Sequence, residues 1–187
     1  MKRAFGVVLA ASLGITTVVA QTPAPPAPTL DIAASLKTQQ QNIRRNLAAS
    51  AAKMPDADYN FRPQGVAPEV RTFGQMVAHL VAANYAYCSI AKPEPTPKHG
   101  ANDKEMQPKP DLVKMLDEAL AYCDAVYEAQ TSATINEMLK RPGPNNTTLE
   151  RARGIALISN IAHNNEHYGN LVTYLRAKGL VPPSSER

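Results

Sequence analysis

The chemistry this 187-residue chain could carry rests on four histidines and two cysteines. His163 and His167 stand four residues apart, and on a helix that spacing puts both imidazoles on one face with Cβ atoms about 5–6 Å apart. Two ring nitrogens so placed can reach one ion at about 2.0–2.1 Å. His79 belongs to a different segment, beside Met76 and Ala83, and can offer a third nitrogen across a helix pair. Three neutral imidazoles with open positions make a site for a divalent metal ion: Zn²⁺, Ni²⁺ or Fe²⁺. Asn160, Asn164, Asn165 and Asn170 cluster near the pair and are candidates for fixing the ring tautomers. His99 falls in a charged loop and reads as a solvated bystander.

His163-Asn164-Asn165-Glu166-His167 also matches the His-x-x-Glu-His pattern of inverted zinc peptidases, in which the glutamate is the general base. Glu166 directly precedes a ligand and so points about 100° away from it on a helix. No acidic residue stands out as the distant third ligand that pattern needs. Tyr87, Glu166 and Tyr168 are near the histidines, but none earns assignment as a catalytic base.

Cys88 and Cys123 are the only cysteines. In an exported chain an even count favours a disulfide; the alternative is two buried thiols acting as small apolar groups. A bridge would close a loop of about 35 residues, worth roughly 3–4 kcal/mol in the chain-entropy model. Both cysteines lie far along their helices. A bridge therefore matches heights better if the two helices run parallel than if they form a hairpin.

The elements that must position these residues are marked by proline. The chain has 16 prolines, nearly twice the usual share, yet they leave four proline-free windows at 29–54, 69–92, 111–141 and 145–181. A helix interior is where proline costs about 3 kcal/mol. The first helix is expected over 31–54 with Asp31 as N-cap, and the second over 72–91 behind a Thr72-x-x-Gln75 capping box. The third is expected over 111–130, with a shorter helix at 134–140. The fourth opens with Thr147-x-x-Glu150 and ends at Gly179-Leu180, a glycine C-cap with an apolar residue behind it. Its apolar residues, including Ile155 and Ile158, run nearly all round, which predicts a buried helix. No segment alternates with period two, and no glycine-rich phosphate loop occurs. The fold class is all-α: a four-helix bundle over residues 31–187, with a long crossover at 92–110 between helices 2 and 3.

Residues 1–20 read as a signal peptide, with Lys2 and Arg3 ahead of an uncharged apolar run and small residues at Val18-Val19-Ala20. Residues 21–30 read as a proline-rich tether. The expected location is periplasmic or secreted, with no membrane attachment after cleavage. Loss of Lys2 and Arg3 takes the formal charge from +4 to +2. No basic run interleaved with aromatics remains, so a nucleic-acid partner is not expected. A small-molecule substrate or ligand is expected, and a homodimer stays open.

With these residues in view, the chain over about 31–187 resembles the DinB-like superfamily of metal-binding four-helix bundles. Met54 to Pro63 resembles its inter-helix loop, Arg71 to His79 its second helix, and His163 to Arg176 its fourth. The resemblance implies an up-down-down-up bundle and a metal triad of His79, His163 and His167 with water in the open positions. Where many relatives follow the last histidine with x-Gly-Gln, this chain has Tyr168-Gly169-Asn170. Characterised relatives include thiol S-transferases and thiol-dependent isomerases that draw on cytoplasmic thiols, a pool an exported member stands outside. Three functions follow: a metal-dependent hydrolase or thiol-type group transferase, a non-catalytic metal- or ligand-binding bundle, or a structural bundle with histidines in its core.

Overall fold

Asp31 starts the first helix as its sequence predicts. Its carboxylate accepts a hydrogen bond from the Ala34 N–H at 3.1 Å, which supplies one of the partners a helix N-terminus lacks. The computed structural model describes residues 30–142, 145 and 147–186; the expected signal peptide, and the tether apart from Leu30, lie outside them. Helix α1 spans Ile32–Lys53 and stops before Pro55. Helix α2 spans Phe73–Ala91, and its capping box is complete: the Gln75 N–H donates to Thr72 Oγ1 at 3.3 Å and the Thr72 N–H donates to Gln75 Oε1 at 2.9 Å.

Helix α3 spans Lys109–Glu128 and so begins two residues earlier than expected. Pro110 sits in its first turn, where the missing N–H would have had no intrahelical partner anyway. The helix expected at 134–140 is instead one 3₁₀ turn, Thr134–Asn136, followed by a strand.

Strand β1 (Met138–Pro142) pairs antiparallel with β2 (Thr148–Ala152), in the register Met138 to Ala152 and Pro142 to Thr148. This ribbon corrects two expectations. Thr147 and Glu150 do not cap a helix, because Thr148–Ala152 is strand and α4 begins only at Arg153. The period-two signal was missing because nearly every residue of both strands is exposed or half-exposed, so no buried face selects apolar residues.

Helix α4 spans Arg153–Ala177. Its start is fixed from outside the helix. The Arg153 N–H donates to the Glu137 carbonyl at 2.9 Å, and its guanidinium donates to Ala91 O, to Thr134 O at 3.2 Å and to the Glu137 carboxylate at 2.6 Å. Its end is the expected glycine cap: Gly179 has φ +74°, and the Leu180 N–H returns to the Leu175 carbonyl at 2.9 Å. The helix is not buried all round; Ile155 and Ile158 are 47% and 46% exposed. Among the described residues no helix is long and apolar enough to cross a membrane.

The helix order is up-down-down-up. Lys37 pairs with Glu128 and Arg44 with Asp124, so α1 and α3 are antiparallel. Cys88 and Cys123, each near the C-terminal end of its helix, are joined with Cα atoms 5.4 Å apart, so α2 and α3 are parallel. Helix α2 packs on both α3 and α4, and α1 packs on α3 and α4 from the opposite side. The core falls into two apolar clusters. The larger contains Leu47, Phe73, Leu80, Leu116 and Leu171; the smaller contains the disulfide, Val126, Tyr127 and Leu157.

Between them lies a layer of amides. Asn84, Asn160 and Asn164 are all fully buried. Asn84 Nδ2 donates to Leu80 O at 2.8 Å and to Asn164 Oδ1 at 3.1 Å; its Oδ1 accepts from Asn164 at 3.0 Å and from Asn160 at 3.1 Å. The single Tyr127 Oη proton is shared between Leu157 O at 2.8 Å and Asn160 Oδ1 at 3.0 Å. These asparagines, two of them expected beside the histidines, instead join α2 to α4.

The bridge predicts that denatured, unreduced protein exposes no reactive thiol, and that Cys88→Ser with Cys123→Ser lowers unfolding free energy by roughly 3–4 kcal/mol. A thiol count of two on fresh, unreduced protein contradicts it.

Candidate metal centre

The antiparallel pairing of α2 and α4 carries His79 to His163 and His167. Their Nε2 atoms converge: His163 Nε2 lies 3.2 Å from His79 Nε2 and 3.1 Å from His167 Nε2. All three candidate ligand atoms fall within 4.8 Å of one another. Two nitrogens bound to one zinc ion at the tetrahedral angle stand roughly 3.3 Å apart. The spacing fits a shared divalent ion, and the three histidines could hold one.

The rings are held from behind to different degrees. Asp103, in the crossover between α2 and α3, places Oδ2 3.4 Å from His79 Nδ1. Arg71 grips the same oxygen from Nε at 3.0 Å and Nη2 at 2.7 Å. A proton on Nδ1 facing this carboxylate leaves the Nε2 lone pair of His79 directed at the centre. Asn170 meets His167 Nδ1 at 3.1 Å through its amide. A half-turn of that amide presents its oxygen to an Nδ1 proton and frees Nε2 in the same way. His163 Nδ1 is buried with no hydrogen-bond partner among the described residues, while the Tyr87 ring lies 5.3 Å from the His163 ring.

Electrostatics favour three neutral rings. Burial pushes all three imidazoles below their ordinary pKa. The Arg71 charge adds to this at each ring. His163 also acts on His79, His167 on His163, and His79 on His167, while Asp103 and the exposed Glu166 work the other way. For Asp103, burial alone would raise the pKa, but the hydrogen bond and charge of Arg71 outweigh it and hold the carboxylate ionised. Neutral imidazole is the form that binds a metal.

The sequence-expected neighbours sort differently. Glu166 is exposed, as the helix geometry requires, and serves only as a nearby negative charge. Tyr168 points away from the triad, its hydroxyl accepting from the Ser184 N–H at 2.9 Å. Asn165 bonds back to Ile161 O, so of the four asparagines only Asn170 touches a ring. His99 is not a solvated bystander: it is half-buried, stacked on Tyr85 with ring centroids 5.5 Å apart and planes at 6°. Sequence reasoning missed Asp103 and the role of Arg71. Asp103 lies in the proline-rich crossover, with no spacing relation to any histidine that could have disclosed it.

The comparisons agree with this architecture. The DinB superfamily family model matches residues 39–171. No curated protein matches the chain. Among solved structures, a DinB-like protein from Bacillus cereus ATCC 10987 is 16% identical with a TM-score of 0.65, covering 82% of this chain and 96% of that one. A DinB-like protein from Bacillus subtilis is 17% identical with a TM-score of 0.61, covering 82% and 99%. A conserved protein from Enterococcus faecalis is 13% identical with a TM-score of 0.58, covering 79% and 97%. At these identities the structures speak to the fold alone. The family match spans well over half the chain and ends beyond both histidines of α4: the chain belongs to the DinB superfamily.

Proposed function

We propose that this is an exported protein that binds one divalent metal ion through His79, His163 and His167 and uses it for hydrolysis or thiol-type group transfer on a small-molecule substrate. The observation that carries the reading is the convergence of three Nε2 atoms from two helices, with His163 within 3.1–3.2 Å of both partners. A divalent ion there supplies Lewis-acid polarisation and lowers the pKa of water or a thiol. The chain's own groups prepare the ligands: Asp103 directs the His79 proton away from the centre, Arg71 keeps Asp103 ionised, and Asn170 faces the Nδ1 edge of His167. Export is supported by the residues of 1–20 and by the Cys88–Cys123 bridge, which suits an oxidising compartment.

A second reading, a non-catalytic metal- or ligand-binding bundle, is favoured by the positions of two of the three candidate bases: Glu166 is exposed and the Tyr168 hydroxyl is taken up by the Ser184 N–H, which leaves only Tyr87 beside a histidine ring. Turnover of ester, amide or thiol-adduct substrates by the metal-loaded protein separates the two.

Untagged protein is expected to bind one equivalent of Zn²⁺ or Ni²⁺, and His167→Ala to lose stoichiometric metal while keeping its helical circular dichroism. Full retention of metal by His167→Ala contradicts the triad. Asp103→Asn removes the carboxylate behind His79 and is expected to weaken metal affinity about 10–100-fold, measured by competition with a chromophoric chelator. Unchanged affinity contradicts the role given to Asp103.

The lowered histidine pKa values also set a pH dependence. Below about pH 6.5 the unfolded chain takes up protons that the folded triad refuses, so folding stability is fully present above that pH and falls as the pH drops toward the folded values. The lowered carboxylates of Asp31, Glu94 and Asp103 act in the same direction, but only below about pH 4.5. Urea midpoints of metal-free protein are therefore expected to be flat from pH 8 to 7 and to decline between about 6.5 and 5. A rise in that window contradicts neutral rings.

A further inference from the structure

A cavity of about 430 Å³ lies between the β1–β2 ribbon and the segment where α2 gives way to the crossover. That volume falls in the range of small-molecule sites. Its lining combines the apolar residues Ile90, Pro93, Pro95 and Leu139 with Arg141 and Arg151.

The ribbon's register explains why these two arginines matter. Leu139 pairs with Arg151 and Arg141 with Leu149, so both arginines stand on one face as diagonal neighbours. Lys140 also borders the cavity, but it pairs directly with Glu150 and its ammonium makes an ion pair with that carboxylate at 3.0 Å on the other face. The remaining carboxylates nearby are already engaged. Glu94, which also lines the cavity, accepts from Tyr122 Oη at 2.5 Å and from Lys92 Nζ at 3.0 Å; Glu137 is held by Arg153. Arg141 and Arg151 have no anionic partner among the described residues. Two like charges set close on one ribbon face without a counter-charge repel one another, and an anion between them removes that penalty.

The same cavity also meets the metal-bearing face of α2. His79, Ala83, Tyr87 and Ile90 follow one another at helical spacing, which puts Ile90 about 16 Å down the helix from His79 on the same side.

We propose that this cavity is an anion-binding site for a small molecule that carries a phosphate or carboxylate on an apolar body. The anionic group is held by the guanidiniums of Arg141 and Arg151, and the apolar body packs against Ile90, Leu139 and the crossover prolines. The assignment stands apart from the metal reading and survives its failure.

The test is a titration of chelator-dialysed full-length protein with phenyl phosphate, followed by calorimetry and by amide shifts, so that no ion at the histidines contributes. Saturable binding is expected, with amide shifts in the ribbon and at residues 89–96. Arg141→Gln with Arg151→Gln is expected to weaken it at least about tenfold, and Lys114→Gln, a charge loss elsewhere on the surface, to leave it unchanged. Benzoate binding with the same arginine dependence supports the shared anion chemistry, and weaker binding of inorganic phosphate supports the apolar wall. Absence of saturation, or affinity indifferent to the two arginines while the variant's circular dichroism matches the parent, overturns the proposal. Equal weakening by Lys114→Gln overturns it as well, because it would mean only diffuse attraction to the protein's positive charge.

Discussion

The register of α2 against α4 is the constraint on which the rest of the site depends. A sliding of one helix turn, about 5.4 Å, would carry His79 out of reach of the other two rings. The buried amide of Asn84 prevents it. Both of its Nδ2 protons and both oxygen lone pairs are used, three of these four bonds running to Asn160 and Asn164 on α4. An amide so completely paired has one favourable position, since any shift leaves buried donors and acceptors unmatched at about 1–3 kcal/mol each. Apolar packing on either side supplies the larger stabilisation but tolerates shifts; the polar layer selects among them.

The disulfide fixes the other neighbour of α2. By joining Cys88 to Cys123 it ties α2 to α3 at the end where the crossover leaves, and Cys123 Sγ lies 3.3 Å from the Asn84 carbonyl oxygen. Parallel helices need a long connection, and this one also reaches the histidine cluster. It runs back along α2, stacks His99 on Tyr85, and delivers Asp103 to Arg71 and His79. The segment that makes the parallel topology possible is therefore also the one that sets a carboxylate behind His79.

Much of this was legible in the residues themselves. Proline spacing marks the helical windows because a helix interior excludes proline, and Asp31, Thr72 with Gln75, and Gly179 mark ends through local hydrogen bonds visible in sequence. His163 and His167 declare themselves by helical spacing, whereas His79 becomes a partner only through the pairing of α2 with α4. The β1–β2 ribbon escaped because an exposed ribbon has no apolar alternation, and Thr147-x-x-Glu150 imitated a cap the chain does not use. Asn160 and Asn164 look like partners of the adjacent histidines, but on a helix they turn toward α2 and meet Asn84 instead. Asp103 was invisible for a simpler reason: its approach to His79 depends on the path of a loop.

The most direct test of the account is X-ray absorption at the zinc edge of protein loaded with one equivalent of Zn²⁺, compared with His79→Ala. The account predicts three imidazoles at about 2.0–2.1 Å in the parent and two in the variant, because the remote histidine is brought to the centre only by the register of α2 on α4. An imidazole count that is the same in both proteins would contradict it.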